Sequence, residues 1–563
     1  MPRSNAEIAS LLVEMADLLE LEGANRFRVR AYRNAAATLE ELSRPVSELI
    51  AEGADLTELP AIGEDLAETL VEIDATGTFA ALEELRGKSP ATLRELLQIP
   101  GLGPKRVQAL HDELGIATLD DLEAALESGA IESVSGFGAK TVQNLREAVL
   151  IGRRKKQRHL RADVEEEALA LERFLQSLEG VEQGRVGGSF RRKRETVADF
   201  DCVATSHTPA AVIERFVEYE GIQSIVAQGE TRATVLLKSG MPVDLRVVEP
   251  RSWGAALMYF TGSRAHQLLL RDIALVRGWK LNEYGLFAGD ELLASATEED
   301  VYAAYGMAYI PPELRENRGE IEAARAGTLP ELIELDDVRG DLHIAPSDAA
   351  DVEPLARAAL ERGYSYLLVA RPLATKRDAA AARKLAEECA RLSEKLDGMA
   401  LLSGVEVGVL EDGALAMDGD DLAGFDAVIC SFEEDFGLSR EQQTSRMLRA
   451  IEHPRCAVLA RLTGRIINER PPRDFDAARV LAAAREAGCA VELDGDPRRL
   501  DLTDRHCQLA REIGVPVALA SRATQPDELE RIRYAVDHAR RGWIEAGDAL
   551  NTRPLAELRR ALR

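Results

Sequence analysis

The chain has 563 residues, which at ordinary domain sizes implies several domains. Charged residues make up 30% and hydrophobic residues 46%, enough apolar material for several cores, so a wholly disordered chain is excluded. Lys plus Arg is 70 against 97 Asp plus Glu, a net charge of −27; this is no non-specific polycation, and any nucleic acid has to be held by local basic patches or main-chain N–H groups.

Six scattered cysteines (Cys202, Cys389, Cys430, Cys456, Cys489 and Cys507) contain no CxxC pair, which argues against a disulfide scaffold or a Cys-rich zinc module and fits a reducing compartment. The opening MPRSNAEIASLLVEMADLLE carries acids at helical spacing and lacks the form of a signal peptide. No run of apolar residues is long enough to span a membrane, so no membrane association is expected and the default location is the cytoplasm.

Residues 1–150 read as helical, with apolar positions recurring at three and four. Three segments there share one pattern: LPAIGEDLAETL (59–70), IPGLGPKRVQAL (99–110) and VSGFGAKTVQNL (134–145). Each has an apolar entry, a tight turn ending in Gly and a helix start, the helix-hairpin-helix pattern. Such a turn presents N–H groups to a phosphate and ignores base identity. Gly101, Gly103, Lys105 and Arg106 in the second copy, and Gly136, Gly138 and Lys140 in the third, are the candidate DNA contacts; the plain alternative is that Gly only turns the corner between two helices. The first copy has Ala61, Glu64 and Asp65 and should hold phosphate most weakly. The basic run RRKKQRHLR (153–161) reads either as a DNA or partner contact or as a solvated helix face.

Residues 162–330 mix strand-like runs with helices. The most specific stretch is GGSFRRKRETVADFDCV (187–203), in which Asp199 and Asp201 alternate in a β-type run and so face the same way. A third acid, Asp244, opens the strand VDLRVV. Three carboxylates on adjacent strands suit two Mg²⁺ or Mn²⁺ ions serving an in-line nucleotidyl transfer. Gly188 and Ser189 would cradle the phosphates, with Arg192 as electrostatic partner. A lone D-x-D is more often a solvated strand edge; joined to G-S, R-R and a downstream Asp it is far rarer. From about residue 338, short apolar strands alternate with helices, the grammar of a (β/α) barrel of about 230 residues.

At these motifs the sequence resembles the bacterial family X DNA polymerases, over almost its whole length. GSFRR followed by ETVADFD resembles the palm signature, and YFTGSRAHQLLLRDIA (259–274) with GWKLNEYGLF (278–287) resembles the nucleotide-binding segment and thumb. The resemblance implies that Asp199, Asp201 and Asp244 are catalytic metal ligands. It implies that Gly188, Ser189, Arg192, Tyr259, Phe260, Gly262 and Gln267 bind the incoming dNTP, Gln267 standing where Asn is usual, and that Arg271 touches the template strand. Ala198, Lys193 and Arg194 also depart from the pattern without removing a ligand. In the first hairpin the positions that would carry a lyase lysine and its neighbour hold Thr69 and Asp65, so no efficient abasic-site lyase is expected.

The C-terminal region resembles the PHP (polymerase and histidinol phosphatase) domain, with its ligand motifs degenerate. His343 and Glu406 remain, whereas Ala345, Gly408, Arg461, Arg522 and Thr524 stand at ligand positions. Two ligands cannot build a multinuclear site, so no metal cluster and no 3′–5′ exonuclease are expected there. The implied fold is multidomain α and α/β. It comprises a helical DNA-binding domain with the first hairpin (1–80), a fingers-like hairpin domain (81–158), a nucleotidyltransferase palm (159–256), a thumb (257–325), a linker (326–337) and the degenerate PHP-like barrel (338–563). The expected function is template-directed gap filling in base-excision-type repair, on gapped or primer-template DNA. A non-catalytic gap- or end-binding protein and an untemplated nucleotidyltransferase are the alternatives. The oligomeric state is left open.

Overall fold

The computed structural model describes residues 5–41, 46–88, 96, 99, 102–138, 141–142, 145–146, 149 and 158–562, apart from 418 and 435. The chain forms two compact units, Met1–Gln157 with Ile222–Ala227 and Val235–Pro242, and Arg158–Gly221 with Gln228–Thr234 and Val243–Arg563.

The first unit is built mainly of helices, among them Asn5–Leu21, Arg26–Glu41, Glu64–Thr76, Pro104–Leu114 and Leu119–Ser128. Their apolar stripes meet in one core that includes Ile8, Leu12, Leu70, Ile73, Leu110 and Leu122. Among the described residues, the three hairpin segments close the same two backbone bonds. In each, the residue after the turn donates its N–H to the carbonyl three positions back (Ile62 to Leu59 3.2 Å, Leu102 to Ile99 3.0 Å, Phe137 to Val134 3.2 Å). In each, the first turn of the following helix closes on a glycine carbonyl (Ala67 to Gly63 2.9 Å, Val107 to Gly103 3.1 Å, Val142 to Gly138 3.0 Å). The turn needs a left-handed residue two positions in, which Gly136 supplies at φ 91°. Ala61 adopts φ 61° at the same place, so the first copy keeps the turn at a cost of about 1 kcal/mol in Cβ crowding.

In the second unit, a sheet core is formed by β2 (Gln183–Val186), β4 (Phe200–Thr205) and β7 (Pro242–Val248), with β4 antiparallel to β2 and parallel to β7. A two-residue pair joins β1 (His159–Leu160) antiparallel to β3 (Thr196–Val197), the latter just before β4 in the chain. The strands β5 (Ile222–Gln228) and β6 (Arg232–Leu237) lie between β4 and β7 in sequence. A three-stranded antiparallel sheet, β8 (Trp279–Asn282), β9 (Gly285–Ala288) and β10 (Glu291–Ala294), then packs with the helices Trp253–Thr261, Arg264–Val276 and Glu298–Ala304 around Met258, Leu270, Leu281, Leu286 and Tyr302.

The barrel has seven parallel strands in sequential order: β11 (Gly340–Ile344), β12 (Tyr366–Leu373), β13 (Ala400–Gly408), β14 (Ala427–Ser431), β15 (Cys456–Ala460), β16 (Ala490–Asp494) and β17 (Val517–Ala520). It nearly closes: beyond β17, the Arg522 N–H donates to the His343 carbonyl (2.8 Å), and the Ser521 N–H reaches the Asp341 carboxylate (3.1 Å). Alternation places Leu342, Leu368, Leu402, Ile429 and Val458 inside, and the other faces pack under the surrounding helices.

The basic run 153–161, which ends one residue past β1, departs from expectation at its last residue. Residues 153–157 lie outside the described ones, but Arg161 is neither solvated nor a DNA contact. It is buried, 2.7 Å from Asp537 and stacked over the Tyr534 ring of the barrel domain at 5.0 Å.

Candidate active site

Phe200 and Cys202 are buried and Asp201 half-buried, as alternation in β4 dictates; on β7, Val243 and Leu245 are buried and Asp244 and Arg246 half-buried. The register pairs Asp201 directly with Asp244. Asp199, Asp201 and Asp244 thus bring carboxylate oxygens within 4.8 Å of one another, the one such donor group among the described residues. Thr234 Oγ1 donates to Asp244 Oδ1 at 2.6 Å and fixes that carboxylate. An all-oxygen acidic set is what a hard divalent cation takes, so the residues fit Mg²⁺ or Mn²⁺.

The Gly-Ser turn lies against these acids. The Gly187 N–H donates to the Asp201 carbonyl at 2.6 Å, and Gly188 has φ 58°. A Cβ on Gly188 would lie 2.3 Å from Asp201 Oδ2. Gly188→Ala therefore both strains the backbone and displaces a short carboxylate that has little room to move. The expected result is a loss of about 10²-fold in primer extension, with helix and strand content retained, measured by single-nucleotide incorporation and circular dichroism.

Ser189 is half-buried beside this turn. Arg192 is largely buried; its Nη1 donates to the Thr261 carbonyl (2.5 Å) and its Nε to Glu316 (3.1 Å). It lies beneath the Gly262 turn, where a Cβ on Gly262 (φ 70°) would approach Arg192 Nη1 to 3.1 Å. Tyr259 and Phe260 meet edge to face at 5.2 Å, and Arg246 stands over the Phe260 ring at 5.7 Å. Gln267 is buried; Nε2 donates to the Met258 carbonyl at 2.6 Å, and Oε1 has no hydrogen-bond partner. Arg271 is exposed on the helix Arg264–Val276. The hairpin candidates Gly103, Lys105, Arg106, Gly136 and Gly138 belong to the first unit, where Arg106 stands 5.8 Å over the Phe137 ring; Gly101 and Lys140 lie outside the described residues. Thr69 Oγ1 donates to the Asp65 carbonyl at 2.8 Å, and neither side chain carries an amine.

The barrel holds a second polar cluster, and here the sequence reading was incomplete. His343 and Glu406 are joined by Glu492 and Asp494, two acids in alternate positions of β16. Arg522 stands among them: its guanidinium is 2.9 Å from Glu492, 3.0 Å from Glu406 and 3.5 Å from Asp494. His343 Nδ1 pairs with Glu492 at 2.6 Å. Burial opposes ionisation of Glu492, but Arg522 and His343 overcome it and hold its carboxyl down at about 2. Burial dominates at Asp494, which is pushed up to about 6. Arg461 pairs with Glu433 at the same end of the barrel.

Other functional candidates carried no sequence signal. Arg246, Thr234, Glu316 and Arg541 are single polar residues in unremarked stretches, and only the paired strands and packed helices bring them to the site.

Comparison with known proteins matches residues 256–316 to a DNA polymerase beta thumb, 3–79 to a helix-hairpin-helix domain and 93–149 to a SAM-like helix-hairpin-helix tandem. The chain is 32% identical over 564 aligned residues to the DNA polymerase/3′-5′ exonuclease PolX of Bacillus subtilis (strain 168), covering 98% of each protein. It is 25% identical to DNA polymerase lambda of Rattus norvegicus, over 55% of this chain and 56% of that one. It is also 25% identical to the DNA-directed DNA/RNA polymerase mu of Homo sapiens, over 55% and 69%.

Proposed function

The chain belongs to the family X DNA polymerases, and from that membership we propose that it fills short gaps during DNA repair, directed by a template, with a barrel domain that has lost metal chemistry. The observation that carries the polymerase site is the convergence of Asp199, Asp201 and Asp244 against the Gly188 turn. These three acids would hold Mg²⁺ or Mn²⁺, which when bound would activate the primer 3′-hydroxyl and neutralise the triphosphate. Around them, Thr234 orients Asp244 and Gly188 leaves room for the Asp201 carboxylate, while Ser189 and Arg192 would meet the phosphates of the dNTP. Tyr259 and Phe260 line the sugar side, and Gln267 sits against the base. Arg271 would touch the template, and the hairpin turns with Lys105 and Arg106 would grip backbone phosphates through main-chain N–H groups, which suits a protein of net charge −27.

The inert barrel is supported by Arg522. A guanidinium lying between Glu406, Glu492 and Asp494 supplies the positive charge that a cation would bring and repels any further one. Although the Bacillus subtilis relative is named an exonuclease as well as a polymerase, this chain is expected to leave a labelled 3′ end intact.

Gapped, template-free and blunt substrates, each supplied with one dNTP at a time and Mg²⁺ or Mn²⁺, test the reading. Incorporation is expected only where the dNTP pairs with the template base in the gap. Incorporation without a template would favour the untemplated reading, binding without incorporation would make the protein a passive gap binder, and metal-dependent shortening of the primer would refute the inert barrel.

A further inference from the structure

The barrel and the polymerase core meet through buried polar side chains, and these converge on one short segment. Arg541 ends the helix Ile532–Arg541 and is 2% exposed. Its Nη1 donates to the main-chain carbonyl of Arg192 at 2.7 Å and to Glu316 at 3.1 Å; its Nη2 donates to Asp504 at 2.7 Å. Glu316 also receives Arg192 Nε and, at 3.4 Å, Arg194. Three positions beyond Arg192, Glu195 accepts from Arg465 Nη1 of the barrel at 3.1 Å. Arg465 is itself fixed by the carbonyls of Arg499 and Leu500. Just before β1, Asn468 Nδ2 donates to the Arg158 carbonyl at 2.8 Å, and the Arg158 guanidinium grips Thr196. The barrel therefore holds both ends of the connection 192–196, which joins the Gly188–Ser189 turn to Asp199 and Asp201.

We propose that Arg541 of the barrel is a positioning residue for the incoming nucleotide, acting through Glu316 and the main chain of Arg192. The proposal rests on the polymerase reading above. Glu316 is shared among three guanidinium groups, Arg541, Arg192 and, at 3.4 Å and half-exposed, Arg194, and a triphosphate that recruits Arg192 has to draw it from that carboxylate. With Arg541 in place, Glu316 keeps a buried cation when Arg192 turns to the phosphates. Without Arg541, only the longer and half-exposed Arg194 contact would remain to Glu316, which therefore holds Arg192 more tightly, because a buried carboxylate short of a cation is costly. The direct bond from Arg541 to the Arg192 carbonyl also fixes the backbone from which that side chain extends. The side-chain bonds of Arg541 go to Arg192, Glu316 and Asp504, so the effect is expected in nucleotide affinity and not in turnover.

The test compares wild type with Arg541→Lys, Arg541→Ala and the neighbouring Arg540→Ala on one-nucleotide gaps. Arg540 pairs with Glu313 and Glu334 across the same domain boundary without reaching 192–196. Arg541→Ala is expected to raise KM for the dNTP about tenfold with kcat within about threefold, Arg541→Lys to give a smaller rise, and Arg540→Ala to leave both unchanged. In Arg541→Ala, adding Glu316→Gln removes the competing carboxylate and is expected to bring KM back down. Should Arg541→Ala not fold, Arg541→Lys keeps one cation and carries the comparison. Hydrogen exchange at the amides of 192–196 reads the positioning without turnover and is expected to quicken in Arg541→Ala and Arg541→Lys but not in Arg540→Ala. Unchanged exchange and KM in folded Arg541→Lys, or the same changes in Arg540→Ala, would overturn the proposal; a wild type that extends no primer overturns the polymerase reading instead.

Discussion

Asp201→Ala is expected to abolish template-directed extension, lowering single-nucleotide incorporation on gapped DNA by about 10³-fold or more, equivalent to a loss of about 4 kcal/mol in transition-state stabilisation. Asp201 is the central acid of the three. It is register partner to Asp244 across the parallel β4–β7 pair, it is two residues from Asp199, and its carboxylate occupies the space that glycine at 188 leaves open. Removing it leaves two acids that cannot provide the same oxygen set, and Asp201→Asn, which keeps the shape and removes the charge, is expected to fail equally. The fold should survive, because Asp201 is half-buried on a strand held by Phe200 and Cys202, so circular dichroism and DNA binding are expected to match wild type. Extension by Asp201→Ala at wild-type rates in either Mg²⁺ or Mn²⁺ would remove the site assignment.

The second large effect is on stability. Arg522→Met is expected to destabilise the barrel by about 3–5 kcal/mol, read as an earlier transition in urea unfolding of the full chain, because it strips the guanidinium from Glu406, Glu492 and Asp494 while leaving them buried. The pH dependence carries a sign that tests the cause. In the wild type, Arg522 holds Glu406 and Glu492 below the ordinary range of a glutamate despite burial. A depressed carboxyl contributes stability above its unfolded pKa, here about 4.5, and that contribution is lost as the pH falls through the folded value. In Arg522→Met the same carboxyls are buried without that cation, and their pKa values move up. Their contribution is then present at low pH and lost as the pH rises. The gap between variant and wild type should therefore narrow from pH 7.5 towards pH 5. A gap independent of pH would mean that the loss comes from packing and not from the unpaired carboxylates.

The parts of this molecule that depend on near neighbours in the chain were legible in its sequence. The hairpin turns follow from a Gly or Ala two positions into a five-residue pattern, and the three copies close the same two backbone bonds because both bonds span only three or four residues. The facing of Asp199 and Asp201 follows from the two-residue period of a strand, and the alternation of strand and helix after residue 338 follows from local periodicity. The tertiary structure alone decided which distant strands lie side by side, and so which charges meet. Arg161 and Arg541 look in sequence like any solvated arginine, because a side chain's burial is set by what packs over it. Glu492 becomes a partner of His343, and Asp494 of Arg522, only when the barrel brings their strands together, and Arg541 reaches the Arg192 carbonyl across 349 positions of chain. Local order is written in short-range sterics and hydrogen bonds; the pairing of buried charges is a long-range property, fixed when the domains close and water is driven from between them.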